Sequence, residues 1–188
     1  MSADLILASA SPRRRELLRS VGIEPMVRPA RVDEAPLPQE SPIPYALRVA
    51  RAKAQATERT GAELVLAADS IVVLDGEILG KPSRAEDAVA TLSRLSGREH
   101  HVHTAVVVIG RGGVAKDVVT TAVRFRTLRR EELERYVESG EPMDKAGAYG
   151  IQGLGGALVA HVVGSYTNVV GLPLEESLRL LELSGFHT

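Results

Sequence analysis

Three arginines follow a turn of small residues near the start of the chain, in the stretch SASPRRR at residues 9–15. Such a turn at a helix N-terminus presents free backbone N–H groups and the positive end of the helix dipole, and both attract phosphate. The guanidinium groups of Arg13 and Arg14 can add bidentate hydrogen bonds to a phosphate. Three positive charges in a first turn oppose the dipole unless an anion compensates them. The stretch therefore indicates either an anion-binding turn or a solvated basic face.

Other polar groups follow apolar segments further along the chain. Asp69 ends the apolar run ELVLAADS, and the carboxyl end of a buried strand is where open α/β sheets place their sites; a turn cap is the alternative. Lys53 lies in the helical pattern RVARAKAQA and Lys81 follows a hairpin, with a surface charge as the alternative for both. The glycine-rich stretch DKAGAYGIQG carries Asp144, Lys145 and Gln152. Together these groups predict a cleft for a phosphate ester or nucleotide with a divalent metal.

Several familiar motifs are absent from the sequence. GEILGKP has three residues between its glycines where a P-loop has four, and Pro82 stands where a P-loop has Ser or Thr. No dinucleotide fingerprint and no GxSxG nucleophile elbow occur. His101 and His103 fall on one face of a predicted strand and could grip a metal, but a polar outer face is the favoured interpretation because no acidic partner is nearby.

Composition narrows the function classes. The 188 residues suit one domain, or one domain with a small lobe, and the zero cysteine count excludes a disulfide scaffold and thiolate chemistry. A net charge of −1 and 3% aromatic residues argue against nucleic-acid binding. No run approaches the ~18 apolar residues of a membrane span, and LILASA is too short for a secretion signal. We therefore expect a soluble cytoplasmic protein without a membrane or nucleic-acid partner.

The order of elements predicts an α/β protein with a mixed sheet flanked by helices. Helices are expected to start at Ser11-Pro12, at Ser41-Pro42 (running to about Thr60) and near Pro173. Ser83 and Glu86 predict a capping box for a helix that ends near Leu95, and a fifth helix is expected over residues 129–139. Apolar runs predict the strands, with hairpins at residues 75–76 and 111–113, a glycine-rich loop over 140–156 and a last strand in ALVAHVVGS.

The chain resembles the Maf family in six ordered blocks: LILASASPRRRELL, VDE, AADSIVVLDGEILGKP, LSGREHHVHTAV, EPMDKAGAYGIQG and GSYTNVVGLPL. The resemblance runs from Leu5 to about Leu174, which is nearly the whole chain. It implies a fold like that of inosine triphosphate pyrophosphatase, as a single domain over residues 1–188 with two lobes around a central cleft. It also implies a nucleoside triphosphate pyrophosphatase that needs Mg²⁺ or Mn²⁺, works in the cytoplasm and forms a homodimer.

Site residues follow from the resemblance position by position. Asp69 matches the family's general base, which activates the attacking water and contacts the metal. Glu34, in VDE, matches an acidic residue near the metal. The polar residues that hold the phosphates correspond here to Ser9, Arg13, Lys53 and Lys81. Arg14 joins this set because of its place in the anion-binding turn.

The resemblance also predicts the substrate. The blocks SPRR and GIQG fit the branch of the family that hydrolyses dTTP and UTP, whereas the branch acting on 7-methyl-GTP has Glu at the position of Gln152. Ser70 stands where the first branch has Thr, which keeps the hydroxyl and removes a methyl from the pocket. Two alternatives remain: the same chemistry on another modified nucleotide, and a nucleotide-binding regulator of cell division. An intact Asp69 favours catalysis over the regulator.

Overall fold

The computed structural model describes residues 4–61 and 63–187; the predicted domain also includes residues 1–3, 62 and 188, which lie outside the described residues. The strands are β1 Leu5–Leu7, β2 Met26–Val27, β3 Leu64–Leu74, β4 Glu77–Leu79, β5 Glu99–Gly110, β6 Gly113–Phe125 and β7 Val159–Val163. The helices are α1 Pro12–Ser20, α2 Pro42–Ala56, α3 Ala85–Leu95, α4 Arg130–Glu138, α5 Tyr166–Val170 and α6 Leu174–Leu183. Three short 3₁₀ segments occupy Glu141–Asp144, Ala146–Ala148 and Leu154–Leu158.

The strands form one mixed sheet, as the sequence predicts. Its order is β2-β1-β3-β5-β6-β7, and β4 pairs with β3. β1 runs parallel to both β2 and β3, whereas the β3–β4 and β6–β7 pairs are antiparallel. Asp75 and Gly76 both have positive φ in the β3–β4 turn, which is why an Asp-Gly pair suits this hairpin. In the described part of the chain, no helix is long and apolar enough to cross a membrane.

The chain divides into two compact units. Unit 1 comprises residues 1–70, 104–119 and 171–188, and unit 2 comprises residues 71–103 and 120–170. In unit 1, aliphatic side chains are buried on β1, on the first part of β3 and on the inner faces of α1, α2 and α6, among them Ile6, Leu18, Val49, Leu66 and Leu181. In unit 2, α3 and α4 pack with the ends of β3, β5 and β6 around a cluster that includes Phe125 and Leu92. The expected central cleft stays a prediction.

Two predicted helix boundaries are wrong. α2 ends at Ala56 instead of about Thr60, because Thr57 is extended and its hydroxyl donates to the carbonyl oxygen of Lys53 at 2.9 Å, satisfying a group in the last turn. The capping box of α3 lies one residue later than Ser83 and Glu86: Arg84 is the N-cap, and its N–H donates to the Asp87 carboxylate at 3.1 Å.

One helix escapes sequence analysis altogether. α5 forms in the β-branched stretch YTNVV, where helix propensity is low. The hydroxyl of Ser165 caps it by accepting a hydrogen bond from the Asn168 N–H at 3.2 Å. The Asn168 side chain is buried and donates to the carbonyl oxygen of Val102 and the hydroxyl of Thr121. Tertiary hydrogen bonds therefore outweigh propensity in this short segment.

Candidate active site

The turn before α1 is organised by Ser9 and not by the predicted cap. Ser11 and Pro12 do occupy the N-cap and first helical positions, but the Ser11 side chain makes no capping hydrogen bond. Instead, the buried Ser9 hydroxyl accepts from the Ser11 N–H at 3.2 Å. The first turn of α1 therefore has no capping carboxylate or hydroxyl, and an anion is the ligand that its N–H groups and dipole favour.

Arg14 cross-links three segments of unit 1. Its Nε donates to the carbonyl oxygen of Gly171 at 2.8 Å, and its two terminal nitrogens donate to the hydroxyls of Ser9 and Ser70, each at 3.1 Å. The Ser70 hydroxyl also lies 2.9 Å from that of Thr104. Burial lowers the pKa of the Arg14 guanidinium, although the Asp69 carboxylate opposes the shift. Arg14 thus orders the turn, β3 and the Gly171 segment through a forked geometry that Lys cannot reproduce.

Arg13 is partly exposed in the first turn of α1 and is one of the positive charges that lower the pKa of Arg14. Arg14 is also partly exposed, and its guanidinium donates the three hydrogen bonds that connect the turn, β3 and the Gly171 segment.

Asp69 does not end its strand. The prediction that the strand stops at this acid is wrong, because β3 continues through SIVVL to Leu74 and turns into β4. The neighbouring parallel strand β1 does end nearby: Leu7 pairs with Leu66, and the Ala8 N–H donates to the Leu66 carbonyl oxygen. Asp69 lies three residues beyond that last pair, so it still sits past the carboxyl end of the parallel part of the sheet.

Lys53 joins two carboxylates. Its Nζ lies 2.8 Å from Oδ1 of Asp69 and 3.0 Å from Oε1 of Glu34. The residue Asp69 is only 7% exposed, whereas the side chain of Glu34 is 52% exposed. Burial raises the pKa of Asp69, opposed by the charges of Lys53 and Arg14. A buried carboxylate that is held next to a cation and has a raised pKa is suited to accept a proton near neutral pH.

Two residues that sequence analysis missed hold the segment bearing Glu34. The Tyr45 hydroxyl donates to the carbonyl oxygen of Glu34 at 2.8 Å, and Arg48 donates to that of Ala35 at 3.0 Å. Arg48 also pairs with Glu40 at 2.7 Å and lies over the ring of Tyr45, 5.4 Å from its centroid. The signal was present, because residues three apart share a face of α2, but a proline-rich loop gives no hint of which helix it meets.

The donor set fits a divalent cation that also binds phosphate. Among the described residues no group of three or more His, Cys, Asp or Glu side chains could hold a metal by itself. Glu34 and Asp69 supply two carboxylates that meet at one ammonium group. Mg²⁺ typically takes one or two carboxylates and completes its coordination with substrate phosphates and water. His101 and His103 stack with ring centroids 6.1 Å apart, and the His103 Nδ1 is already engaged by Thr120 at 2.8 Å.

Lys81 and Gln152 belong to unit 2, and both are exposed. Lys81 directly follows Gly80, whose carbonyl oxygen accepts from the Gly147 N–H at 3.1 Å, so the end of the β3–β4 hairpin meets the glycine-rich loop. The loop is folded into 3₁₀ segments and turns. The Lys145 ammonium donates to the Glu141 carbonyl oxygen at 2.7 Å and to the Asp144 carboxylate at 2.6 Å.

In unit 1 the candidate site combines two carboxylates, three cationic side chains and an anion-binding turn, which are the groups of a phosphate-handling hydrolase. The family model described as Maf-like protein matches residues 4–184, and the chain belongs to this family. Relatives named dTTP/UTP pyrophosphatase include one from Anaeromyxobacter sp. (strain Fw109-5), 55% identical over 98% of this chain and 91% of its own. Another, from Myxococcus xanthus, is 54% identical over 98% and 96%, and one from Bordetella parapertussis is 50% identical over 96% and 92%.

Solved structures give a more distant likeness. The Staphylococcus aureus Ham1 protein is 15% identical, with a TM-score of 0.46 over 65% of this chain and 71% of its own. A HAM1 protein from Coxiella burnetii is 18% identical, with a TM-score of 0.44 over 65% and 73%.

Proposed function

We propose that this chain is a nucleoside triphosphate pyrophosphatase that hydrolyses dTTP and UTP to the monophosphate and pyrophosphate. Family membership and relatives of this name at 50–55% identity support the substrate class. The proposed chemistry rests on the buried Asp69 carboxylate, which accepts a hydrogen bond from Lys53 at 2.8 Å and interacts electrostatically with the Arg14 guanidinium. A pure nucleotide-binding protein needs no such base.

In the proposed reaction, water attacks the α-phosphorus and the bond to the bridging oxygen of the β-phosphate breaks. Asp69 accepts the proton of the water, and pyrophosphate leaves. Burial raises the pKa of Asp69, which makes it a stronger base, while the opposing charge of Lys53 favours its ionised form. A positioned general base typically contributes ~10²–10⁴-fold to the rate. Lys53, Arg13 and Arg14 carry the positive charge that phosphate binding needs, and the Ser9 hydroxyl is proposed to bind phosphate with them. The hydrogen bond from Arg14 to the Ser9 hydroxyl also holds the turn in place.

Glu34 and Asp69 are the residues that would hold Mg²⁺ or Mn²⁺. When bound, such a cation neutralises charge on the phosphates and favours ionisation of water. In unit 2, Lys81 is proposed to bind phosphate oxygens and Gln152 to contact the base. The Gln152 amide offers both a donor and an acceptor, which matches the edge of uracil or thymine. Ser70, one methyl smaller than Thr, is proposed to shape the substrate pocket.

The decisive experiment measures pyrophosphate release from UTP, dTTP, CTP, GTP and 7-methyl-GTP, with Mg²⁺ or Mn²⁺. We expect release from UTP and dTTP, reduced at least about 100-fold by Asp69→Asn. Asp75→Asn is the matched control, because Asp75 is an exposed acid in the hairpin turn of the same strand. Nucleotide binding without release from any substrate would refute the enzyme and favour the regulator of cell division.

Gln152→Glu tests the base assignment. We expect this variant to lose preference for UTP, since a carboxylate offers only acceptors. An unchanged pyrimidine preference would remove Gln152 from the proposed site.

Cytoplasmic location and a homodimer are further parts of the proposal, and both rest on the family resemblance. Size-exclusion chromatography with light scattering measures the mass in solution directly. A mass near twice the 20.1 kDa of the chain supports the dimer, and a mass near 20.1 kDa refutes it. Fractionation of the cells that make the protein tests the location.

A further inference from the structure

The Glu141 carboxylate anchors the loop that carries Gln152, although nothing in the proposed chemistry uses Glu141. Its Oε1 accepts hydrogen bonds from the Tyr136 hydroxyl at 2.8 Å and the Gly155 N–H at 3.0 Å. Its Oε2 accepts from the Leu154 N–H at 2.8 Å. The Tyr136 hydroxyl in turn accepts from the N–H of Gly150 at 3.1 Å. The two side chains therefore hold both ends of the segment 150–155.

Three glycines allow the segment to approach the side chains of Tyr136, Glu141 and Lys145 closely. A Cβ atom at position 155 would lie 2.5 Å from the Tyr136 hydroxyl oxygen, and one at position 153 would lie 2.7 Å from Cδ of Glu141. At position 150 a Cβ atom would lie 2.6 Å from Cε of Lys145. A Cβ atom essentially never comes within 3.0 Å of a non-bonded heavy atom of a residue elsewhere in the chain. Glycine at positions 150, 153 and 155 therefore leaves room for the side chains that hold the segment.

The anchor is an ionised group. Burial by itself would raise the pKa of Glu141, but the hydrogen bonds from the Gly155 and Leu154 amides and the Tyr136 hydroxyl outweigh it and lower the pKa. Hydrogen bonds to a charged acceptor are roughly twice as strong as neutral ones. The middle of the held segment is exposed at Gln152, Gly153 and Leu154, whereas Ile151 packs against the core of unit 2 and Gly155 is buried. The exposed residues themselves are therefore held by the hydrogen bonds to Glu141 and by the packing of the residues that flank them.

We propose that Glu141 and Tyr136 are positioning residues that fix the Gln152 amide for base recognition and so govern discrimination between UTP or dTTP and other nucleotides. The inference rests on the proposed function, because it assumes that Gln152 contacts the base. A side chain that recognises a base must be held to within about 0.5 Å by the residues that support it. On an exposed part of a loop, hydrogen bonds to a fixed side chain have to supply this support. Sequence analysis singled out Asp144, Lys145 and Gln152 in this loop and missed the acid that orders it.

The test compares Glu141→Gln and Tyr136→Phe with the wild type. Glu141→Gln replaces one acceptor oxygen with an NH₂ group, so at least one loop amide loses its partner, while Tyr136→Phe removes only the hydroxyl. The readouts are kcat and KM for UTP, CTP and GTP, and hydrogen exchange of the amides of residues 150–155. Glu138→Gln is the matched control, because Glu138 is an exposed acid at the last residue of α4, three residues before Glu141.

We expect Glu141→Gln to lower the preference for UTP over CTP and GTP about tenfold, mainly through KM for UTP. The amides of Leu154 and Gly155 should exchange at least about tenfold faster, and Tyr136→Phe should produce the same changes on a smaller scale. Glu138→Gln should leave both readouts at the wild-type level. A variant that merely loses stability would lower activity towards all nucleotides alike.

Wild-type discrimination in a folded Glu141→Gln protein, with faster loop exchange, would overturn the proposal. If Glu141→Gln does not fold, Tyr136→Phe decides by the same criteria. If the wild type hydrolyses no pyrimidine triphosphate, the proposed function fails separately. In that case the hydrogen-exchange data test only whether Glu141 and Tyr136 hold the segment 150–155. Unchanged exchange in both variants would refute that role.

Discussion

Lowering the pH from about 8 to about 5 should destabilise unit 2 through one buried histidine. His100 is 1% exposed, and its ring lies edge-on to Phe125 and Tyr149 with centroids 5.0 and 5.4 Å away. Its Nε2 lies 2.8 Å from the Tyr149 hydroxyl, while the buried Nδ1 makes no hydrogen bond within the described chain. Burial, with a smaller contribution from His101, lowers the pKa of His100 from 6.5 to about 4.

The magnitude follows from linkage between protonation and folding. The unfolded chain binds a proton at His100 below a pH of about 6.5, whereas the folded chain binds it only below about 4. The contribution of the neutral histidine is therefore fully present above the unfolded pKa and is lost as the pH falls through this window. At 1.36 kcal/mol for each unit, the loss reaches about 3 kcal/mol below pH 4 and about 2 kcal/mol at pH 5.

The assay is urea unfolding of the wild type and His100→Gln at about pH 8 and about pH 5. Gln retains a polar partner for Tyr149 but does not titrate, so every other group cancels in the difference. We expect the wild type to lose about 2 kcal/mol more free energy of unfolding than the variant between these pH values. His161→Gln is the matched control, because His161 is an exposed histidine on β7.

Parallel pH dependence in the wild type and His100→Gln would refute the reasoning. It would mean that the folded protein accommodates a proton on His100, for example by opening the aromatic cluster at little cost. The comparison with His161→Gln shows only whether the loss of a histidine elsewhere in the fold changes the pH dependence of stability.

Three further predictions concern both units. Lys53→Met should raise the pKa of Asp69, so that the acidic limb of the kcat/KM profile for UTP moves to higher pH than in the wild type. Lys53→Arg should keep the wild-type profile, and an unmoved acidic limb in Lys53→Met would contradict the pairing. Gly147→Ala should lower the free energy of unfolding, measured in urea, by about 2–5 kcal/mol, because φ is +69° and the new Cβ would lie 2.8 Å from both methyl groups of Val72. A decrease of less than about 1 kcal/mol would contradict this steric clash. Arg14→Lys should lower the free energy of unfolding by about 2–4 kcal/mol, because Lys cannot make all three hydrogen bonds. Unfolding at the wild-type urea midpoint would refute the cross-linking role of Arg14.

Local patterns predicted most elements of the fold, for reasons that act within a few residues. The prolines at positions 12 and 42 start helices, the Asp75-Gly76 turn fits positive φ, and apolar runs fill the buried strands. Errors arose where a distant contact decided the outcome. The strand β3 continues past Asp69 because β4 pairs with its second half, and α5 forms because Asn168 finds partners on neighbouring strands.

The candidate site divides in the same way. Residue types alone indicated phosphate chemistry, because arginines beside a small-residue turn, an acid after an apolar run and a glycine-rich loop are the groups that such chemistry needs. Which groups touch was beyond the sequence: the meeting of Lys53 with both Glu34 and Asp69, and the commitment of Arg14 to Ser9, Ser70 and Gly171.

The sequence by itself determined the kinds of side chain available, the order of strands and helices, and the family to which they belong. Tertiary structure alone decided which carboxylate is buried enough for its pKa to rise, which arginine gives up its donors to the fold, and which acid anchors the glycine-rich loop. The physical reason is that burial, charge pairing and hydrogen-bond geometry depend on atoms brought together from distant parts of the chain. Propensity and spacing describe only neighbours along it.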